Sequence, residues 1–218
     1  MKRIFLVTLG CLLCVFMLSS TAIATPIVID NYSFEDDTTL ANGNWQLDVS
    51  QWSFSGTGNA GVLMPDTTMY PSGGYDGNNV AWVENGYLYQ VLDTTFTSGH
   101  EYTLEVEVGW RGDLNLTSWP YYCVELWAID DTLAASEGSL IPLAGEFKTS
   151  TVTYTETGAN AGKQIVIALY SDGSQINFDN VSLTNFTPGD NFTPAIPEPS
   201  TLILIGVGLL GLSFVRRK

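Results

Sequence analysis

Over residues 101–108 polar and apolar side chains alternate without a break. Tyr102, Leu104, Val106 and Val108 fall on one side, Glu101, Thr103, Glu105 and Glu107 on the other. Only an extended strand gathers such residues onto two opposite faces, since a helix would scatter them round its circumference. The segment therefore reads as a half-buried antiparallel strand with one wet face. The same period returns at 164–170, where Ile165, Ile167 and Leu169 share a face. It returns again at 121–129, with Tyr122, Val124 and Leu126 inward and Cys123 and Glu125 opposite. Further strands are expected near 27–30, 51–55, 61–64, 79–84, 86–92, 147–155 and 175–184. Turn pairs separate them: Asn85-Gly86, Ser98-Gly99, Asp130-Asp131, Ala161-Gly162 and Asp172-Gly173. No helical period of ten or more residues interrupts the series. Nine or ten short strands with regular turns predict an all-β fold, a single antiparallel β-sandwich of the jelly-roll kind.

In the last strand the alternation slips. Ile176 and Phe178 share a face, but Val181 and Leu183 would lie on the other in a regular strand. A β-bulge at Asp179-Asn180 restores the pattern and re-aims a carboxylate; burial of both faces would account for the slip as well.

Charge narrows the function. Of the eight basic residues, Lys2 and Arg3 open the chain and Arg216, Arg217 and Lys218 close it. Residues 25–199 hold only Arg111, Lys148 and Lys163 against 23 acidic side chains, a net −20. Such a domain repels phosphate backbones, so no nucleic-acid partner is expected. A single histidine, His100, excludes any scheme that needs two imidazoles.

The two ends are addresses. Lys2 and Arg3 precede an apolar run over 4–18, and Ala22-Ile23-Ala24 has the small-x-small form that signal peptidase cleaves. Residues 1–24 thus read as a signal peptide cut before Thr25. Cys11 after Gly10 offers a lipoprotein box as the alternative, with a short apolar region before it. At the other end Pro197-Glu198-Pro199 leads into an apolar helix at 201–215 and a basic end at 216–218. Fifteen helical residues span roughly 22 Å, short of a ~30 Å hydrocarbon core. The basic end holds the segment at the cytoplasmic side of the inner membrane, as a transient or a permanent anchor. Pro197, Glu198, Pro199, the apolar helix and Arg216-Arg217, in that order, resemble the PEP-CTERM sorting tail, also known as the "ice-binding protein C-terminal" motif. The resemblance implies an exosortase that handles residues 197–218, and a product at the cell surface or in an exopolysaccharide matrix. Residues 187–196, rich in Pro, Asn and Thr, read as a linker. One domain remains, 25–186, and its lone Cys123 leaves no intrachain disulfide.

Two places in that domain have the residues for a site. Glu35 follows the first strand and Asp179 lies in the last, and in a jelly roll the terminal strands commonly lie side by side. Two buried carboxylates cost several kcal/mol each unless a cation joins them. Ca²⁺ takes such oxygens together with backbone carbonyls, so a structural calcium at Glu35 and Asp179 is expected; the plain alternative is two exposed acidic residues. The second place is the loop from Trp110 to Trp119. An indole at each end, with Arg111, Asp113 and Asn115 between, suits the apolar C–H faces and hydroxyls of a sugar. Closing the sandwich end is its structural alternative. Trp45, Trp52, Trp82 and Trp127 read as core. Arg111-Gly112-Asp113 reads as a turn rather than an adhesion tripeptide, His100 as an exposed turn residue, and Cys123 as packed.

Several short segments carry a wider resemblance: Asn31-x-x-Phe34-Glu35, Gln51-Trp52-x-Phe54, Asn78-x-Val80-Ala81, Tyr102-Thr103-Leu104-x-Val106 and Phe178-Asp179-Asn180-Val181-x-Leu183. Together they resemble the carbohydrate-binding-module-like jelly rolls found with PEP-CTERM tails. They are also similar to the calcium-binding cyclases of hapalindole-type alkaloid synthesis. That second likeness implies an aspartate acid in an aromatic pocket, which here puts Asp179 in the acid's place and Trp82 and Trp110 at its walls. A calcium-bound carboxylate is a poor proton donor, because the cation depresses its pKa. The expected function is non-catalytic binding of extracellular polysaccharide by a calcium-stabilised sandwich. The alternatives are a structural matrix protein without a ligand and, third, a cyclase-like enzyme.

Overall fold

The computed structural model describes residues 24–37, 40–114 and 120–187. Ten strands run through them: β1 (Thr25–Ile27), β2 (Trp45–Leu47), β3 (Ser53–Leu63), β4 (Val80–Thr95), β5 (Glu101–Trp110), β6 (Tyr121–Ala128), β7 (Thr132–Glu137), β8 (Glu146–Thr155), β9 (Gln164–Asp172) and β10 (Ile176–Phe186). Every pairing is antiparallel. The hydrogen-bonded order is β7-β6-β9-β4-β10-β5-β8, with β1 on β10 and β2-β3 on β4. The fold is all-β and consistent with a jelly roll. The signal peptide before Ala24, the linker beyond Thr187 and the sorting tail with its helix lie outside the described residues.

β4 joins two parts of the one continuous sheet. Its first residues pair with β10, Ala81 opposite Phe178, and its second half pairs with β9, Leu88 opposite Leu169. The strand bends at Asn85, whose φ is +49°, and the β3–β4 register shifts there between Gly56 and Asn59. Asn85-Gly86 is thus a bend inside one 16-residue strand and not the expected turn. A hairpin turn forms when the runs on either side pair with each other. Here both runs pair with β3, which joins the expected strands 51–55 and 61–64 into one, and the chain continues forward. Two further strands, β2 and β7, escape the alternation because they are short and mostly exposed.

The main core is built from the inward faces of these strands. Tyr102, Leu104, Val106 and Val108 of β5 are fully buried, as are Tyr122, Val124 and Leu126 of β6 and Ile165, Ile167 and Leu169 of β9. Each such aliphatic side chain contributes about 1.5–3 kcal/mol. A second cluster, Leu63, Met69, Tyr70, Val80 and Trp82 with Tyr75 and Phe147, seals the 64–79 segment against the sheet. Trp52 and Trp82 are core as expected. Trp45 is 60% exposed on edge strand β2, edge-on against Trp82 at 5.8 Å. Trp127 is half-buried on the outer face, because it shares the outward register of Cys123 and Glu125. Neither belongs to the core.

The bulge in β10 is present. The register with β5 passes from Asp179 opposite Glu107 to Ser182 opposite Glu105, and Asn180 has a φ of +46°. That extra residue lets Phe178, Val181 and Leu183 all enter the main core. β1 lies beside β10, Ile27 opposite Leu183, so the terminal strands are neighbours.

Candidate functional site

Behind the bulge the chain gathers three acidic residues around one loop. The 30–37 segment turns sharply, with left-handed backbone at Asn31 and Phe34. Phe34 anchors it, fully buried, and the Val181 N–H donates to Tyr32 O at 2.9 Å, tying the turn to the bulge. Asn31 Nδ2 closes the turn on Asp37 Oδ2 at 3.0 Å. Glu35 then meets the loop 76–79, where the consecutive N–H groups of Asn78 and Asn79 donate to its Oε1 at 2.8 and 2.6 Å. Gly77 makes this approach possible. It has a φ of +62°, and a Cβ there would sit 2.5 Å from Glu35 Oε1.

The same loop holds Asp179. The Asp76 N–H donates to its Oδ2 at 2.5 Å, whereas Oδ1 has no hydrogen-bond partner, and the residue is 0% exposed. Burial pushes its pKa up to about 8. The N–H groups of Asp76 and Asn180 pull the other way, and the charges of Asp76 and Glu35 push it further up. Sequence alone set Glu35 and Asp179 as a pair. The structure brings both to one loop, adds Asp76, and supplies backbone amides where a cation alone was expected to join them. Among the described residues no three Asp, Glu, His or Cys side chains gather closely enough to hold a metal ion by themselves. A hard cation here would need further oxygen ligands besides Asp179 Oδ1. Asp179 Oδ1 is an unmatched oxygen of the kind such an ion takes, while Asp179 Oδ2 and Glu35 Oε1 already accept N–H groups.

The second expected site is only partly described, because Asn115 and Trp119 lie outside the described residues. Trp110, at the end of β5, is half-buried. Arg111 is engaged within the protein: its Nε and Nη2 donate to Asp113 at 3.0 and 2.7 Å, and its Nη1 donates to Gln175 Oε1 at 3.1 Å. That fork holds the Asp113 carboxyl below the usual carboxylate range. His100 is half-buried, its Nε2 3.2 Å from Thr187 Oγ1, and Cys123 is buried.

Sequence reasoning passed over a third feature, an aromatic trough of about 530 Å³ on the outer face of β4, β9 and β6. Tyr87, Tyr89, Trp127, Val166, Ala168 and Asp131 are among its lining residues. Its signal was legible: the outward positions 87, 89 and 91 of β4 and 121, 123 and 127 of β6 are largely aromatic or apolar, where a wet face should be polar. Asp179 does not line it.

The sequence profile described as "HpiC1 cyclase" matches residues 25–184. The chain belongs to the HpiC1-like family. Solved structures agree. A Stig cyclase from Fischerella sp. TAU in complex with (3Z)-3-(1-methyl-2-pyrrolidinylidene)-3H-indole is 28% identical, with a TM-score of 0.68 over 75% of this chain and 98% of that chain. A Fischerella sp. cyclase in its apo form is 27% identical, with the same TM-score over 75% and 97%. A third, from Fischerella sp. TAU with 4-(1H-indol-3-yl)butan-2-one, is 28% identical with a TM-score of 0.65 over 74% and 98%. An arabinose-bound α-L-arabinofuranosidase shares the fold alone, at 13% identity and a TM-score of 0.51 over 73% of this chain and 26% of that chain. None of the curated proteins matches. The PEP-CTERM protein-sorting motif matches residues 195–218, which places this HpiC1-like domain ahead of a signal for exosortase sorting and export.

Proposed function

We propose that this HpiC1-like protein is displayed at the cell surface or in the extracellular matrix. There it works as a calcium-stabilised module that binds polysaccharide without catalysis. The observation that carries this reading is the setting of Asp179. Asp179, which the likeness to the cyclases puts in the acid's place, is fully buried beside Glu35 and Asp76, with Oδ1 unmatched, and it does not open onto the aromatic trough. A group so placed suits holding a cation better than meeting a substrate. Glu35 and Asp179, with carbonyls of the surrounding loops, would hold the ion, which would supply only charge neutralisation and cross-linking of β10 to the 30–37 turn. The acidic surface and the aromatic residues suit an uncharged polymer with apolar faces.

The test uses the full chain purified in detergent, applied to immobilised exopolysaccharide of the producing cell, with Ca²⁺ and with EDTA. Saturable retention that falls in EDTA supports the reading. Absence of retention in both conditions refutes polysaccharide binding and leaves the structural matrix role.

A cyclase is the second reading, favoured by membership of the family and by a pKa near 8 that keeps a proton on Asp179 near neutrality. It requires the 76–79 loop to open, because a general acid must touch its substrate. Calorimetry with 4-(1H-indol-3-yl)butan-2-one separates the two readings: saturable binding lost in Asp179→Asn favours the cyclase, and absence of binding favours the module.

A further inference from the structure

The trough is built by three ladder rows across the outer face. Across β6, β9 and β4 the first row is Cys123, Tyr170 and Tyr87, the second Glu125, Ala168 and Tyr89, the third Trp127, Val166 and Val91. The middle row has the smallest side chain at its centre. Ala168 is a floor, and the larger residues on either side of it along β9 and β6 are walls. Tyr87 and Tyr170 lie ring to ring at 4.4 Å and 32°, so that wall is a single slab. On the far side Trp127 is pinned: its Nε1 donates to Glu125 Oε2 at 2.8 Å, which fixes the indole before any ligand arrives. Pre-set aromatic faces bind with little loss of side-chain entropy. The same outward face also carries exposed apolar groups. Val91, Tyr121, Ile129 and Leu133 are 40%, 55%, 47% and 46% exposed. A patch of that kind marks an interaction surface.

We infer that this trough is the binding site for a neutral polysaccharide, its sugar rings lying on Tyr89 and Trp127 over the Ala168 floor. The assignment rests on the polysaccharide reading above and locates it away from Trp110. Charge selects the class of polymer. Among the described residues no Lys or Arg lines the trough, Asp131 stands among its lining residues, and Lys163 is already paired with Asp130 at 2.7 Å. A uronate or sulfated chain would meet only negative charge. A neutral one finds aromatic faces for its C–H groups and acceptors for its hydroxyls in Asp131, Ser55 and the phenols. The volume is that of a ligand cleft, whose usual range is about 300–1,000 Å³.

The experiment measures retention of the full chain in detergent on two fractions of the exopolysaccharide, the neutral one that passes an anion exchanger and the acidic one that binds it. Three variants accompany the wild type. Trp127→Ala removes a platform, Ala168→Leu fills the floor while leaving every aromatic in place, and Trp110→Ala reports on the other loop. The expected result is retention on the neutral fraction, reduced at least tenfold by Trp127→Ala and by Ala168→Leu while each variant still melts cooperatively well above the assay temperature, and untouched by Trp110→Ala. Retention lost only in Trp110→Ala overturns the trough and leaves the polysaccharide reading intact. Retention confined to the acidic fraction overturns the charge argument. A wild-type dimer in sedimentation that Ala168→Leu dissolves assigns the trough to a second copy of the chain and overturns the inference. Absence of retention on either fraction sinks both the inference and the reading beneath it.

Discussion

Replacing Asp179 by Asn separates a cation site from a merely buried acid. In the metal-free protein the carboxyl has a pKa raised from 3.8 to about 8, chiefly by burial. Raising an acid's pKa on folding means that the folded state binds the proton more tightly. The resulting cost is absent below pH 3.8, grows as pH rises through the interval, and is complete above about 8. At pH 7 the difference spans about 3.2 units, which at about 1.36 kcal/mol each is on the order of 4 kcal/mol. The amide of the Asp179→Asn variant would keep an oxygen to accept the Asp76 N–H and would carry no charge, so the variant recovers part of that cost. In EDTA at pH 7 the variant should melt above the wild type. Roughly 1–4 kcal/mol at ~2–4 °C per kcal/mol gives a shift of at least a few degrees for a domain of this size. The gap should close as the pH is lowered to about 4. Added Ca²⁺ should reverse the order, since a ligand at about 100 times its Kd stabilises the wild type by about 2.7 kcal/mol and the variant has lost a principal ligand. The assay is a thermal melt by circular dichroism of both proteins under these three conditions. A variant that melts below the wild type in EDTA refutes the idea of an unmatched carboxylate, and equal responses to Ca²⁺ refute the cation site.

Gly77→Ala should strain the left-handed turn and push a methyl into the Glu35 carboxylate. The expected result is a loss of about 1–3 kcal/mol in urea unfolding and weaker protection of the Asn78 and Asn79 amides in hydrogen exchange. Glu125, buried under the trough wall, has its pKa raised by desolvation, against hydrogen bonds from Trp127 and Cys123. Its ionisation therefore costs stability above the unfolded value of 4.5, so Glu125→Gln should raise the melting temperature at neutral pH by an amount that disappears below pH 4.5. Truncating Leu126 to Ala in the fully buried row of β6 should cost about 2–5 kcal/mol, measured by equilibrium unfolding in urea.

The alternation at 101–108 determined β5 residue by residue, because a strand places every second side chain on one face whatever its neighbours are. For the same reason the slip after Phe178 pointed to a bulge or to burial of both faces, and the register with β5 decided for the bulge. Short-range pattern also carried the identity of the ends: Pro197-Glu198-Pro199, the apolar stretch and Arg216-Arg217 are read in linear order and need no fold. What the pattern could not supply was the partner of each strand. Asn85-Gly86 has a hairpin's composition and yet became a bend, since β3 was long enough to pair with both sides of it. Trp127 and Trp45 were assigned to the core on hydrophobicity, which says that a side chain prefers to leave water but not which face of the sheet it will find. Glu35 and Asp179, far apart along the chain, could be named as carboxylates in sequence. Only the closing of β1 onto β10 and the folding of loop 76–79 between them made them one site. The trough is the clearest case. Tyr87, Tyr89, Trp127 and Ala168 come from three strands distant in sequence, and a floor exists only because the β6–β9–β4 register sets a small residue between large ones. Local chemistry is written in the order of residues; concavity is a property of which rows the register lines up.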